Sequence, residues 1–270
     1  MFKDELGTRM KKYYEEVPKT KLMRRTPVII RIDGKTFHSF TKKFQKPFDE
    51  LLIKTMQETT KYLCENIQGC VFGYTQSDEI SLLLVQTKEE SQPWFDNNIQ
   101  KIVSVSASMA TLYFNKNFEK RVFELMENYA KDKSDYTEEE LKYVDKLDSK
   151  IYTAMFDSRV FVLPKEEVNN YFIWRQIDCT RNSILSLAQS LYSDKEIHGI
   201  KCDALQDKMF TEKNVNWNDL STVKKRGTCA IRKEVEVNGV ARNKWFIDED
   251  IPIFTQDKTY INGIIYKGEE

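Results

Sequence analysis

Two apolar runs, Cys70-Val71-Phe72-Gly73-Tyr74-Thr75 and Ile80-Ser81-Leu82-Leu83-Leu84-Val85, are separated by only Gln76-Ser77-Asp78-Glu79. So short a connection is too brief for a crossover, so the runs pair as an antiparallel hairpin with a polar turn. Upstream, Thr26-Pro27 introduces Val28-Ile29-Ile30-Arg31-Ile32, a β-branched run that reads as a buried strand and stops at Asp33-Gly34. After Pro47, Leu52, Met56, Thr59, Leu63 and Ile67 recur at helical spacing, and Gly69 is a fitting stop. A second helix is predicted over 97–117, with Ile99, Ile102, Val103, Ser106, Met109 and Tyr113 on one side; the small Ser104, Ala107, Ser108 and Thr111 would allow close approach to a sheet. Arg159–Leu163 is a fourth strand, ended by Pro164.

The resulting order, β-α-β-β-α-β, is the ferredoxin-like arrangement, an α+β fold with an antiparallel sheet and helices on one face. The domain reading is a palm over 1–164 and a mainly helical C-terminal region over 165–270 packed on it. A helix is expected near 3–15, a solvent-facing helix or loop over 131–150, and a long helix from Pro164 to about Tyr192. The pattern beyond about 195 assigns no topology. Phe172 and Trp174, on the long helix, read as core residues first and base-stacking surfaces second.

Chemistry is restricted by composition. With two histidines and five scattered cysteines lacking a CxxC pair, a zinc site or disulfide framework is not indicated. Any metal would be held by oxygen, which points to magnesium or manganese. No apolar run reaches the roughly 18 residues that span a bilayer. The N-terminus lacks the apolar core of a secretory signal. A cytoplasmic protein without a membrane partner is expected. Net charge is zero, but residues 1–46 carry a balance of +8, and Lys224-Lys225-Arg226 forms a second basic knot. Such clusters neutralise phosphates even on a neutral protein, or are simply solvated faces.

In a ferredoxin-like sheet the first and third strands are central neighbours. Asp33 ends the first and Asp78 begins the third, so two carboxylates remote in sequence would meet at one sheet edge. Such a pair repels itself unless a cation intervenes, and it can bind two divalent ions about 3.5–4 Å apart. Gly34-Lys35-Thr36-Phe37-His38 follows the first carboxylate and could bring backbone amides to phosphates.

Arg31-Ile32-Asp33-Gly34-Lys35-Thr36-Phe37-His38 together with Tyr74-Thr75-Gln76-Ser77-Asp78-Glu79 resembles the histidine-tRNA guanylyltransferase family and its guanylyltransferase-like relatives. Phe156-Asp157-Ser158-Arg159-Val160 and Trp174-Arg175-Gln176 are similar to further family segments in the same order. The resemblance covers roughly 1–235. It implies a polymerase-like palm that adds nucleotides to the 5′ end of tRNA in the 3′–5′ direction, using GTP, ATP and other nucleoside triphosphates. It implies that Asp33, the Gly34 carbonyl and Asp78 hold two Mg2+. Asp33, Gly34, Lys35, Thr36, Phe37, His38, Ser77 and Asp78 would contact the triphosphate. Glu79 matches a further acidic position and joins Asp33 and Asp78 as a catalytic candidate. Arg31, Arg181, Asn182, Lys225 and Arg226 would face the RNA and its 5′ phosphates. The family also implies a homo-oligomer, a tetramer.

One segment departs from the eukaryotic pattern. Where those enzymes carry a His-Ile-Asn-Asn-Leu-Tyr-Asn segment, this chain has Thr180-Arg181-Asn182-Ser183-Ile184-Leu185-Ser186. This version resembles the bacterial and archaeal proteins, which imply template-directed repair of 5′-truncated tRNA. Addition of G at position −1 of histidine tRNA, nucleotidyl cyclisation on a similar palm, and a non-catalytic RNA-binding module are the alternatives.

Overall fold

The structure, a computed structural model, describes residues 4–86, 92–131, 137–237 and 239–265. Its strands are β1 Val28–Gly34, β2 Cys70–Gln76, β3 Glu79–Leu84, β4 Phe156–Val162, β5 Thr228–Val237 and β6 Val240–Asp248. Its helices are α1 Glu5–Met10, α2 Phe37–Phe40, α3 Glu50–Asn66, α4 Ile99–Lys131, α5 Glu138–Asp148, α6 Lys165–Leu191, α7 Asp194–Ile197, α8 Cys202–Lys213, α9 Thr222–Arg226 and α10 Thr259–Ile265. The expected helix near 3–15 is α1 continued by a π-helical stretch, Lys11–Glu15. None of the described helices is long and apolar enough to cross a membrane.

All neighbouring strands pair antiparallel, in the order β4-β1-β3-β2-β5-β6. The first four strands are the expected ferredoxin-like core. The unassigned C-terminal third adds the β5–β6 hairpin to the β2 edge, with Ala230 opposite Gly73.

Alternation along the central strands divides the core. Val28, Ile30 and Ile32 of β1 and Ile80, Leu82 and Leu84 of β3 face α3 and α4, meeting Phe114 and Phe118. Ile29, Phe72, Tyr74 and Leu83 face the other way, against Val168, Tyr171 and Phe172 of α6 and Ile261 and Ile265 of α10. The expectation of helices on one face is therefore corrected: both faces are covered. The physical reason is visible in β3, whose every residue is buried and which needs apolar cover on both sides.

Helix α4 is longer than expected and its sheet-facing small residues are Ser106 and Ala110, whereas Ser104 and Ser108 are exposed. Ser106 Oγ shares a 2.8 Å hydrogen bond with Ser158 Oγ of β4, tying helix to sheet. Asp49 caps α3, its carboxylate accepting from Leu52 N at 2.9 Å. The solvent-facing 131–150 expectation resolves, within the described residues, into α5, started by a Thr137–Glu140 capping box and anchored by buried Val144 and Leu147. The lower half of α6 packs Ile184, Leu187 and Ala188 on Leu205 and Met209 of α8. All five cysteines are free, and four are buried.

Candidate active site

The first and third strands bring Asp33 and Asp78 together. Asp33 lies opposite Glu79 in the β1–β3 register, and Gly34 N donates to Asp78 O at 3.1 Å. The β2–β3 turn is tight because Ser77 takes a left-handed conformation, φ 50°, and its Oγ donates to Asp78 Oδ1 at 3.0 Å. Gly34 is required by space: a Cβ there would lie 2.3 Å from the Phe37 ring. Burial pushes the Asp78 carboxyl upward, the Ser77 hydroxyl draws it down, and the neighbouring Asp33 charge adds to the upward push.

A ring of further charges frames this pair. Asp157 of β4 lies opposite Asp33, and Arg159 Nη2 reaches both, 3.6 Å from Asp33 and 3.4 Å from Asp157. In the sequence these two belong to the 156–160 motif without a role of their own; the register of β4 against β1 is what gives them a place. Glu79 is different. Both its oxygens are engaged by Arg175 of α6, at 2.7 and 2.8 Å, and Arg175 also reaches Asp178 at 2.9 Å. Burial pushes the Glu79 carboxyl upward while Arg175 and then Arg31 draw it back. The two short bonds mark it as a paired carboxylate. Glu79 thus ties the turn to α6 through Arg175.

The other expected residues divide. Lys35 and His38 are exposed at the site rim, Lys35 N donating to Met155 O at 2.8 Å. Thr36, with φ 53°, turns the chain into α2. Phe37 is buried, its ring packed against Phe40, Phe114 and Phe156, so only its backbone is left for a nucleotide. Ser77 and Asn182 line one cavity of about 150 Å³ with Pro47, Leu52, Gln76 and Lys224. Arg181 pairs with Asp178 and is otherwise exposed.

The basic knot is built in rather than splayed into solvent. Lys224 pairs with Glu50 at 2.6 Å, and Lys225 Nζ donates to Asn218 O at 2.6 Å. Arg226 is half-buried, its carbonyl accepting from the Tyr74 hydroxyl at 2.7 Å, which seats α9 beside the β2 end that carries Ser77. Thr180, standing where the eukaryotic pattern has a histidine, donates from Oγ1 to Lys225 O at 3.2 Å. Phe172 is core as expected, but Trp174 is 51% exposed, correcting the reading that placed it in the core.

No three His, Cys, Asp or Glu side chains form a metal cage among the described residues. Magnesium does not require one: it keeps waters, takes one or two carboxylates and completes its shell with substrate phosphates. Asp33, Asp78 and the Gly34 carbonyl offer oxygen only. The upward push on Asp78 from burial and from Asp33 is the stress a cation would relieve. The donor set fits a hard divalent ion.

The family model described as tRNAHis guanylyltransferase (Thg1) matches residues 7–164. The chain belongs to the Thg1 family. It is accordingly a nucleotidyltransferase. It is also similar to a solved bacterial Thg1-like protein in complex with ATP, at 43% identity and a TM-score of 0.79, covering 97% of this chain and 100% of that one. A bacterial Thg1-like protein in complex with GTP matches at 40% identity and a TM-score of 0.76, over 97% and 100% of the two chains. A Dictyostelium discoideum protein named "Probable tRNA(His) guanylyltransferase" is 26% identical over 80% of this chain and 78% of its own.

Proposed function

We propose that this Thg1-family enzyme is a magnesium-dependent, template-directed 3′–5′ nucleotidyltransferase that repairs the 5′ end of truncated tRNA with nucleoside triphosphates. The observation that carries the reading is the meeting of Asp33 and Asp78 at the β1–β3 edge, locked by the Gly34 N–H to Asp78 carbonyl bond of 3.1 Å. The likeness to solved relatives in complex with ATP and with GTP supports a triphosphate at this edge.

In this reading Asp33, Asp78 and the Gly34 carbonyl would hold two magnesium ions, whose charge would lower the pKa of an attacking hydroxyl and steady the triphosphate. Lys35, His38 and Ser77, exposed around the carboxylates, orient the phosphates. Arg226 and Asn182 flank the far side of the turn, where the RNA 5′ phosphate would arrive. Thr180 favours repair over addition of G at position −1, because that position bonds Lys225 O and carries no imidazole. A cytoplasmic homotetramer is the form implied by the family resemblance.

The test is nucleotide addition to 5′-truncated tRNAs, mono- and triphosphorylated, with Mg2+ present or chelated. The wild-type enzyme extends the triphosphorylated end in a template-matched manner, and Asp78→Ala abolishes extension with the fold intact. Unchanged extension by Asp78→Ala, or a cyclic product from labelled GTP without RNA, overturns the reading.

A further inference from the structure

On the α6 face of the sheet, next to the carboxylates, one aromatic side chain is not used by the core. Trp174 stands 51% exposed although the adjacent Phe172 and Arg175 are buried. Its ring lies against Tyr171, centroids 5.9 Å apart, and over the Arg175 guanidinium at 4.4 Å. Arg31 of β1 approaches the same ring at 5.9 Å. Its buried Nε has no hydrogen-bond partner among the described residues. Across the sheet Arg31 lies opposite Arg159.

Register fixes where this platform sits. Arg31 and Asp33 are two residues apart on one strand, so they share a face and stand roughly 7 Å apart along it. A flat indole braced from below by one guanidinium, with a second guanidinium at its edge, suits a nucleobase stacked above and a phosphate alongside. Stacking on an open aromatic face is sequence-tolerant, because every base has a π-face. An open shelf thus fits the end of a nucleic acid better than a triphosphate that must be selected by base.

We propose that Trp174, with Arg31 at its edge, is the stacking platform for the terminal base at the tRNA 5′ end, placing that end beside Asp33 and Asp78. The inference rests on the tRNA reading above and assigns a residue to it. Trp174 is then a positioning residue, and its loss acts on RNA binding.

Three variants isolate the effect. Trp174→Phe keeps a π-face. Trp174→Leu keeps apolar cover on Arg175 and Tyr171 without one. Trp174→Ala removes both. Direct binding of a 5′-truncated, triphosphorylated tRNA is measured by tryptophan fluorescence quenching and filter retention, alongside binding of GTP alone, particle mass and thermal melting. Expected are tRNA binding weakened roughly tenfold or more in Trp174→Leu and Trp174→Ala, less than about threefold in Trp174→Phe, and unchanged GTP affinity. Most of the tRNA-induced quench disappears in Trp174→Phe. Loss of GTP rather than tRNA affinity assigns the shelf to the free nucleotide and overturns the proposal. A change of oligomeric mass in Trp174→Leu assigns it to a protein contact and does the same. Equal tRNA binding by all four proteins also overturns it. Because binding is read directly, these results stand whether or not the wild-type enzyme extends the tRNA; failure of extension alone counts against the function reading.

Discussion

Replacing Glu79 by Leu tests whether the site is braced from α6. The side chains of Arg175 and Glu79 are 6% and 10% exposed, and their two hydrogen bonds of 2.7 and 2.8 Å use both carboxylate oxygens. Leucine fills similar space but leaves the guanidinium buried without its main counter-charge. Breaking a buried pair from one side costs about 3–5 kcal/mol. Asp178 still holds Arg175 Nη2 at 2.9 Å, which places this case at the low end. At about 2–4 °C per kcal/mol for large domains, a loss of about 3 kcal/mol lowers the midpoint by roughly 6–12 °C. The assay is thermal and urea unfolding of wild type, Glu79→Leu, and Glu79→Leu with Arg175→Met. The double variant removes both charges and recovers to within about 1 kcal/mol of wild type. A single variant melting within 2 °C of wild type, or a double variant no better than the single, refutes the brace.

Two further outcomes follow from the site. Asp78 has its folded pKa raised, so its ionisation opposes folding: the associated stability is full below the unfolded pKa and is lost as pH rises through the folded one. Asp78→Asn without metal is therefore more stable than wild type at neutral pH, and the gain shrinks as pH falls toward 4; melts across pH check this, and a gain constant with pH contradicts it. Gly227 has φ 79°, and a Cβ there would meet Thr75 O at 2.5 Å, so Gly227→Ala costs about 2 kcal/mol or more in a denaturant titration and displaces Arg226 from the turn. An unchanged midpoint counts against that seat.

The legible part of the fold was the part written in unambiguous apolar runs. The β-branched 28–32 run and the 70–85 hairpin could be read because their residues are buried on both faces. Since β1 and β3 are then neighbours, the Asp33–Asp78 meeting followed from topology alone. The β5–β6 hairpin was missed because β6 is almost entirely exposed and shows little apolar alternation. Its one strong signal, Asn238-Gly239, was in the sequence. Trp174 was misread because spacing on a helix reports which side chains share a face, not where the neighbouring sheet stops covering that face. The engagement of Glu79 by Arg175 depends on a partner 96 residues away. No local pattern announces it.

The C-terminal hairpin also decides which sheet margins are left. By covering β2 it makes β6 the terminal strand on that side, while β4 is the terminal strand on the side of the carboxylates. A bare strand margin is a template on which other chains can polymerise. Here that margin carries Asp157 and Arg159, which discourage such stacking while they frame Asp33. The same two side chains therefore work against strand-on-strand pairing at this one margin, and a chain that lost both charges would be exposed to clumping beside the carboxylates.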